Sequence, residues 1–446
     1  MNSNRRNFLR GSVLGIGGLM VNQNFFPTRM LAASTPSSNS YKALVCINLD
    51  GGNDGNNTIV PLSSQAFAKY AAARQQLALE PSTLLAVGDG HGAAYGFHPS
   101  LVNVQRSYLA GNSAVVANVG SLLAPITRSA FLSNTVPSPS FLEDHEIQRA
   151  QWGTAYCQTD GSSPAHTGWG GRVADLMSGT RSSSFPVVTS VVGQDPFCVG
   201  SQTMPLSVAP GNTGGFPTDG SGNDLQLIAN LSSGSKLVGA ASAGLKDALQ
   251  QSSLLTSALA SAQPFRTVFP KTQLGAQLSQ VASILSVHSG LGMNRQIFLC
   301  KQTGFDVHAA QLTQHAALLA EFDQAVGAFM NFLVELGLMN EVTIFTQSDF
   351  GRSLAMNGAG GSDHAWGNHQ MVLGGAIEGN QVYGKFPDLT LAGPDDIEQT
   401  GRWIPSSSIE QYASPIASWF GVPQSAMGQV FPNIGAFTPG TLPFIR

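Results

Sequence analysis

The residues best suited to chemistry lie between Thr346 and His369, in the sequence TQSDFGRSLAMNGAGGSDHAWGNH. The preceding apolar run, Val342 to Phe345, predicts a buried strand. Glycines inside the stretch would let the backbone approach a ligand closely. Polar side chains on a loop after a strand are typical of an active-site rim, and a polar surface loop with ion pairs is the simplest alternative. The side chains in question are Asp349, Arg352, Asp363, His364 and His369.

Two other predicted strands end in the same kinds of residue. The run Ala43 to Leu49 ends at Asp50, and the run Gln296 to Cys300 is soon followed by Asp306 and His308. Because ligands bind beyond the carboxyl ends of the strands in an open parallel sheet, we expect these side chains to meet along one edge. The predicted site therefore joins Asp50, Asp306, His308, Asp349, Asp363 and His364.

Such a set of carboxylates and imidazoles favours a metal centre. Carboxylates packed together repel one another unless a cation offsets their charge. One or two divalent ions are the simplest explanation, and all six side chains are predicted metal ligands. A mixed Asp/His set suits zinc or manganese, whereas an oxygen-only set would favour calcium or magnesium. Two ions close together would hold a phosphate or sulfate ester during in-line displacement.

Several of these residues also have a structural interpretation. Asp50 opens a turn-like segment, DGGNDGNN, in which acids and amides commonly form turns. Asp306 could instead cap the long helix predicted after it. Arg352 could form a structural salt bridge or hold an anionic substrate.

The elements around this site alternate between strands and helices. That order predicts the α/β class, with a mostly parallel sheet flanked by helices. Residues 34–446 are predicted to form this domain. Within it, the Gly/Ser-rich region from Gln194 to Thr272 predicts an insertion or lid-like subdomain.

Composition points away from nucleic acid and towards an exported protein. Of the 446 residues 42% are hydrophobic, so a sizeable core is available, and only 11% are charged, against a usual share of about a quarter. The net charge is −4 and the only basic cluster is at the N-terminus, so no footprint for a phosphate backbone is present. The four cysteines form no Cys-x-x-Cys pair, and an oxidising compartment would permit, without requiring, a disulfide between Cys157 and Cys198.

The first residues predict the route of export. The sequence NRRNFLR, residues 4–10, precedes a weakly apolar, glycine-rich run from Gly11 to Val21. A twin arginine before such a run is typical of a twin-arginine signal peptide, predicted here as residues 1–33. The run is too short to span a bilayer, so no permanent membrane span is expected. The twin-arginine translocase is the implied partner, and the periplasm or cell surface the implied location. A plain N-terminal tail or a lipid-facing anchor is the alternative.

The segments LDGGNDGNNTIVP, DHEIQRAQW, GFDVHAAQ and FTQSDFGRSLAMNGAGGSDHAWGNH together resemble a large bacterial family exported by the twin-arginine route. That family is similar to the alkaline phosphatase/sulfatase superfamily. The resemblance implies a metal site at the strand ends and hydrolysis of phosphate or sulfate esters. The chain has Phe350 where the superfamily usually has a metal-binding histidine. At the position where relatives show a serine before a histidine, it has Asp144 followed by His145.

Two functions follow from this sequence. The first is an exported, metal-dependent hydrolase of phosphate or sulfate esters, in which Arg352 or His145 steadies the transferred anion and Asp144 stands at the nucleophile position. The alternative is a non-catalytic exported module that keeps the fold and a metal for binding a cell-surface partner, which Phe350 and the unclear nucleophile favour.

Overall fold

A computed structural model of the protein describes residues 40–159, 166–177, 183–211, 220–231 and 235–446. The predicted signal peptide, 1–33, lies outside the described residues. The chain divides into two compact units, which are described separately. The larger unit comprises residues 39–211 and 263–446, and the other includes residues 212–262.

The strands fall into two sheets. In the part of the chain that the structure describes, one sheet has nine strands and the other three. In chain order the strands are β1 (Lys42–Leu49), β2 (Ile59–Pro61), β3 (Leu85–Gly88), β4 (Ala94–Phe97), β5 (Ser113–Gly120), β6 (Val188–Ser190), β7 (Leu206–Ser207), β8 (Arg295–Gln302), β9 (Val342–Ser348), β10 (Asn368–Leu373), β11 (Val382–Tyr383) and β12 (Ser407–Ser408).

The helices lie mainly between successive strands. In chain order they are α1 (Gly55–Thr58), α2 (Ser64–Arg74), α3 (Val102–Leu109), α4 (Arg128–Leu132), α5 (His145–Thr154), α6 (Trp169–Met177), α7 (Gly220–Ala229), α8 (Lys236–Ala260), α9 (Gln273–Ser286), α10 (Gln311–Glu335), α11 (Ile409–Phe420) and α12 (Met427–Val430). Short 3₁₀ turns occupy Gln75–Leu77, Pro81–Thr83, Pro196–Cys198, Gln424–Ala426 and Ile434–Ala436.

The large sheet has the strand order β11-β5-β10-β9-β1-β8-β6-β7, with β12 also paired to β5. Strand β1 is central and runs parallel to both β8 and β9. Only β10 runs antiparallel to its neighbours, β5 and β9. The predicted α/β class, a mostly parallel sheet flanked by helices, is confirmed. Strands β2, β3 and β4 form the small antiparallel sheet.

The register of β1 brings the three predicted strand ends together. Leu49 is level with Gln302 of β8 and with Ser348 of β9. The chain therefore leaves all three strands at the same edge of the sheet. Every position of β1 from Ala43 to Leu49 is buried, and all but Asn48 are apolar, as expected for a strand covered on both faces.

The long helix α10 belongs to the core of the larger unit. It packs against α9 and α3. Among the described residues it is the one helix long and apolar enough to cross a membrane, and half of its most apolar window is buried inside the protein. A core helix of a water-soluble domain meets the same criteria. The helix begins at Gln311 with Ala310 as its N-cap, so Asp306 does not cap it.

The smaller unit contains α7 and α8, and the Ser242 hydroxyl of α8 donates to the Ile228 carbonyl of α7 over 3.2 Å. The proposed limits of the insertion, Gln194 and Thr272, stay a prediction.

All four cysteines are free and buried. Burial raises the pKa of each thiol, because the charged thiolate is poorly solvated there. The permitted Cys157–Cys198 disulfide is therefore absent from this structure, and the thiols contribute as small apolar groups.

A buried ion pair ties the loop after β1 to two helices. Asp54 pairs with Arg74 of α2, and both side chains are almost wholly excluded from solvent. The side-chain amide of Gln311, at the start of α10, donates from Nε2 to Asp54 Oδ2 over 2.5 Å. Removing one member of such a pair leaves an uncompensated buried charge.

We expect Arg74→Met to lower the free energy of unfolding by about 3–5 kcal/mol, because Asp54 would stay buried without its cation. Lys69 of the same helix pairs with Asp388 at 2.6 Å, and both side chains are partly exposed, so Lys69→Met should cost less than about 1 kcal/mol. Urea unfolding of the two variants measures both values. Equal, small losses would show that the buried pair adds no more stability than the exposed one.

Candidate metal centre

One buried guanidinium connects the loops that follow β1, β8 and β9. Arg352 is almost fully buried, and its nitrogens donate to four backbone carbonyls and one carboxylate, while its Nη1 also lies 3.3 Å from His308 Nε2. All three guanidinium nitrogens are already engaged by neighbouring loops, which favours the structural interpretation of Arg352 over direct contact with an anion. The acceptors are Gly52 O at 2.9 Å, Gly51 O at 2.5 Å, Phe305 O at 3.0 Å, Ser362 O at 3.3 Å and Asp306 Oδ1 at 2.6 Å.

The two glycines in this contact are required by space and by backbone conformation. Gly51 and Gly52 have φ angles of +111° and +84°, which other residues rarely adopt. A Cβ on Gly51 would lie 2.5 Å from the Asp306 amide nitrogen, and one on Gly52 would lie 2.6 Å from the Phe350 ring. The glycines therefore let the loop after β1 lie directly against the loops after β8 and β9.

The first imidazole of the centre comes from helix α5. The Asp144 carboxylate caps this helix by accepting from the Ile147 amide over 2.9 Å, which fixes His145 as its first residue. His145 Nδ1 lies 2.8 Å from Asp349 Oδ2, and its Nε2 lies 3.4 Å from Asp306 Oδ2. Since a carboxylate only accepts, Nδ1 carries a proton and Nε2 is the atom that faces Asp306.

The second imidazole, His364, is anchored in the same way. Its Nδ1 lies 2.8 Å from the backbone carbonyl of Glu143, which can only accept, so Nδ1 is the protonated nitrogen. The Nε2 atom therefore carries a lone pair in the neutral ring, and it lies 3.1 Å from Asp306 Oδ1. A histidine whose outer nitrogen is fixed by a carbonyl or carboxylate is the usual arrangement of a metal ligand.

The third imidazole, His308, repeats this pattern with Asp363. Its Nδ1 lies 3.3 Å from Asp363 Oδ1 and its Nε2 lies 2.9 Å from Asp306 Oδ1. The Nε2 atoms of His308 and His364 are only 3.0 Å apart. If both Nδ1 atoms hold their protons, both Nε2 atoms carry lone pairs. Arg352 Nη1 lies 3.3 Å from that of His308, and a bound cation would offset the remaining repulsion between the two rings.

These side chains fit a divalent metal ion. The nearest nitrogen and oxygen atoms of His145, Asp306 and His364 all lie within 4.8 Å of one another, and His308 contacts two of the three. Three imidazole nitrogens and one carboxylate are a donor set that zinc accepts. The group is open to solvent, since the side chains of Asp306, His308 and Asp363 are 47%, 44% and 49% exposed.

The charges around the group prepare it for a cation. Burial acts to raise the pKa of Asp306, but the hydrogen bond and charge of Arg352 outweigh it and hold that pKa well below its usual range. Burial also acts to raise the pKa of Asp363, and hydrogen bonds from Asn357 and His308 turn the net shift of that pKa downward. Burial lowers the pKa of His364. Both carboxylates are thus ionised and His364 is neutral at neutral pH, the states that metal ligation requires.

Asp349 and Asp50 occupy a different position from the other predicted ligands. Asp349 is fully buried and its Oδ2 contacts His145 Nδ1, so it orients an imidazole. Its hydrogen bond with His145 raises the pKa of that ring. The Asp50 carboxylate lies 2.9 Å from the Nε atom of Arg149, whose Nη2 is 3.5 Å from Asp349 Oδ2. Both acids therefore face an arginine.

The sequence analysis missed two contributors to this centre and assigned a third differently. His145, expected to steady an anion, lies among the side chains that could hold a metal ion. Arg149 was not singled out, although it follows His145 by four residues in a predicted helix and so shares its face. The contact between the Glu143 carbonyl and His364 could not be predicted from the sequence, because a backbone carbonyl is present at every residue. His369, also noted in the sequence, is buried and accepts a hydrogen bond from the Asn118 amide over 3.1 Å.

The chain belongs to a family described as "Protein of unknown function (DUF1501)", whose model matches residues 41–400. No curated protein matches the chain.

Among solved structures, the chain is similar to the C-terminal periplasmic domain of EcEptC from Escherichia coli in complex with zinc, at a TM-score of 0.36 and 9% identity over 76% of this chain and 75% of that one. The chain is also similar to the PsFucS1 sulfatase from Pseudoalteromonas sp., with a TM-score of 0.31 and 10% identity; the match covers 86% of this chain and 70% of that one. A third similar structure is wild-type alkaline phosphatase PafA, with a TM-score of 0.30 and 13% identity; the match covers 72% of this chain and 64% of that one. These similarities assign no site residue and no activity to this chain.

We expect Asp349→Asn to weaken metal binding about 10–100-fold, because an amide no longer fixes the proton on His145 Nδ1 as a carboxylate does. Competition against a fluorescent chelator measures the affinity. Asp388→Asn, which alters an exposed carboxylate, is the matched control and should leave the affinity unchanged. An unchanged affinity in Asp349→Asn would show that His145 does not need this carboxylate.

Proposed function

We propose that this protein is an exported, metal-dependent hydrolase of phosphate or sulfate esters. The observation that supports it is the convergence of three imidazole Nε2 atoms on the Asp306 carboxylate, each with its Nδ1 fixed by an acceptor. Export rests on the twin-arginine sequence alone and places the protein in the periplasm or at the cell surface.

His145, His308, His364 and Asp306 would hold the ion, most simply zinc by their donor types. A bound divalent ion polarises an ester oxygen and offsets the negative charge that develops in the transition state. The other residues position these ligands: Asp349, Asp363 and the Glu143 carbonyl fix the rings, and Arg352 holds Asp306. Arg352 and Asp349 are therefore proposed as positioning residues.

The attacking group is proposed to be a water molecule. None of the hydrogen bonds described for the four ligand side chains comes from a hydroxyl or thiol. Asp144, at the position where relatives carry a serine, uses its carboxylate to cap α5. In this proposal the water oxygen bonds to phosphorus or sulfur and gives up one proton to solvent. The bond to the leaving oxygen breaks, and that oxygen keeps the electron pair and takes up a proton from solvent.

The non-catalytic alternative keeps the same metal centre for binding a cell-surface partner. It is favoured by the lack of a protein nucleophile in the described contacts and by Phe350. The Phe350 ring is fully buried and packs against His145 and His364, with ring centroids 4.8 Å and 4.5 Å apart. It contributes packing and no ligand atom.

Elemental analysis of the purified protein and an ester panel distinguish the two functions. The panel comprises aryl phosphate monoesters, diesters and aryl sulfates, each with added zinc, manganese, calcium or magnesium. We expect bound metal and turnover of at least one class, and His364→Ala should lose more than about 100-fold of that turnover together with the metal. His91→Ala removes an exposed imidazole elsewhere and should change neither.

A folded wild type without metal would contradict the metal centre itself. Bound metal without turnover of any ester would favour the binding module.

Asp144→Ala separates the capping role from a chemical one. We expect it to lower the free energy of unfolding by about 1 kcal/mol through loss of the cap, with turnover of the responsive ester retained. Asp144→Ser restores a capping oxygen and should recover the stability. A loss of turnover above about 100-fold in the stable Asp144→Ser variant would assign the carboxylate to catalysis.

A further inference from the structure

Next to the candidate metal-binding side chains lies a second group of charges, of which the proposed function uses only Asp349. Arg149 Nε is 2.9 Å from Asp50 Oδ1, and Arg149 Nη2 is 3.5 Å from Asp349 Oδ2. Lys301 adds a more distant cation, with its Nζ 4.0 Å from Asp50 Oδ1 and 3.8 Å from Asp195 Oδ2. The two carboxylates at the ends of β1 and β9 therefore share one guanidinium.

We propose that Arg149 is a built-in cation that takes the place of a second divalent ion between Asp50 and Asp349, so that the centre holds one ion. The inference rests on the proposed function for the first ion, which His145, His308, His364 and Asp306 would bind.

The charge balance supports this assignment. A buried carboxylate needs a nearby positive charge, and Asp349 is fully buried. Arginine supplies that charge at every physiological pH, because its guanidinium does not lose its proton in proteins. With the guanidinium between the two acids, the repulsion that would otherwise attract a metal ion is already offset.

The neighbouring side chains provide an oxygen ligand that Arg149 leaves unused. Asp349 Oδ1 is buried and has no hydrogen-bond partner. A buried, unpaired carboxylate oxygen is costly, and it would coordinate a cation if Arg149 were absent. Phe350, directly after Asp349, presents an aromatic ring and no ligand atom. Removal of Arg149 would thus expose an oxygen-rich pair rather than a histidine site, and magnesium, calcium or manganese suit such a pair.

The experiment counts metal ions per chain by equilibrium dialysis against zinc together with manganese, followed by elemental analysis. We expect about one ion in the wild type and about two in Arg149→Gln, since the freed carboxylates would bind an ion in place of the guanidinium. Arg149→Lys keeps the charge and should stay at about one. The double variant Arg149→Gln with Asp50→Asn loses one of the two carboxylates and should return to about one.

The possible results separate this inference from the proposed function. Two ions in the wild type would overturn the inference without using any variant. One ion in a folded Arg149→Gln, with folding checked by circular dichroism, would also overturn it and leave the hydrolase proposal standing. A wild type with no ion would overturn both, through failure of the first site.

Discussion

The arrangement of this centre depends on one buried guanidinium. Arg352 donates to carbonyls from the loops after β1 and β8 and from its own loop after β9, and it also holds the Asp306 carboxylate. Parallel strands bring their ends to one edge of a sheet, but they do not fix the loops beyond that edge. Five donors in a rigid plane can fix several loops at once, which a lysine could not do. Gly51 and Gly52 leave the space for this contact.

On this framework the three imidazoles acquire a common orientation. Each ring has an acceptor at Nδ1, and each therefore directs Nε2 towards Asp306. The acceptors differ in kind, since two are carboxylates and the third is a backbone carbonyl, yet their effect on the proton is the same. Because the rings are oriented before any ion arrives, little conformational entropy remains to be lost on binding. The orientation of the rings, more than the number of acidic residues, is what makes this group a candidate metal centre.

The acidic residues themselves divide into two groups with different partners. Asp306 and Asp363 lie in the open, half-exposed group with the histidines. Asp50 and Asp349 lie against Arg149, where the fixed cation offsets their charge. Phe350 packs against two of the imidazoles and contributes no ligand atom to either group. A single-ion centre with a permanent arginine neighbour is the simplest account of both groups.

The apolar runs in the sequence were enough to predict which strand ends would meet. Continuous apolar runs before Asp50, Asp306 and Asp349 predicted buried parallel strands, and the observed register places those ends level with one another. Which side chains face each other depends on the tertiary structure. His145 reaches Asp349 across 204 positions of sequence, and Glu143 meets His364 through its backbone, so no local pattern encodes either contact. Hydrophobic periodicity records burial along an element, whereas the direction of a side chain depends on how loops and helix ends dock against one another.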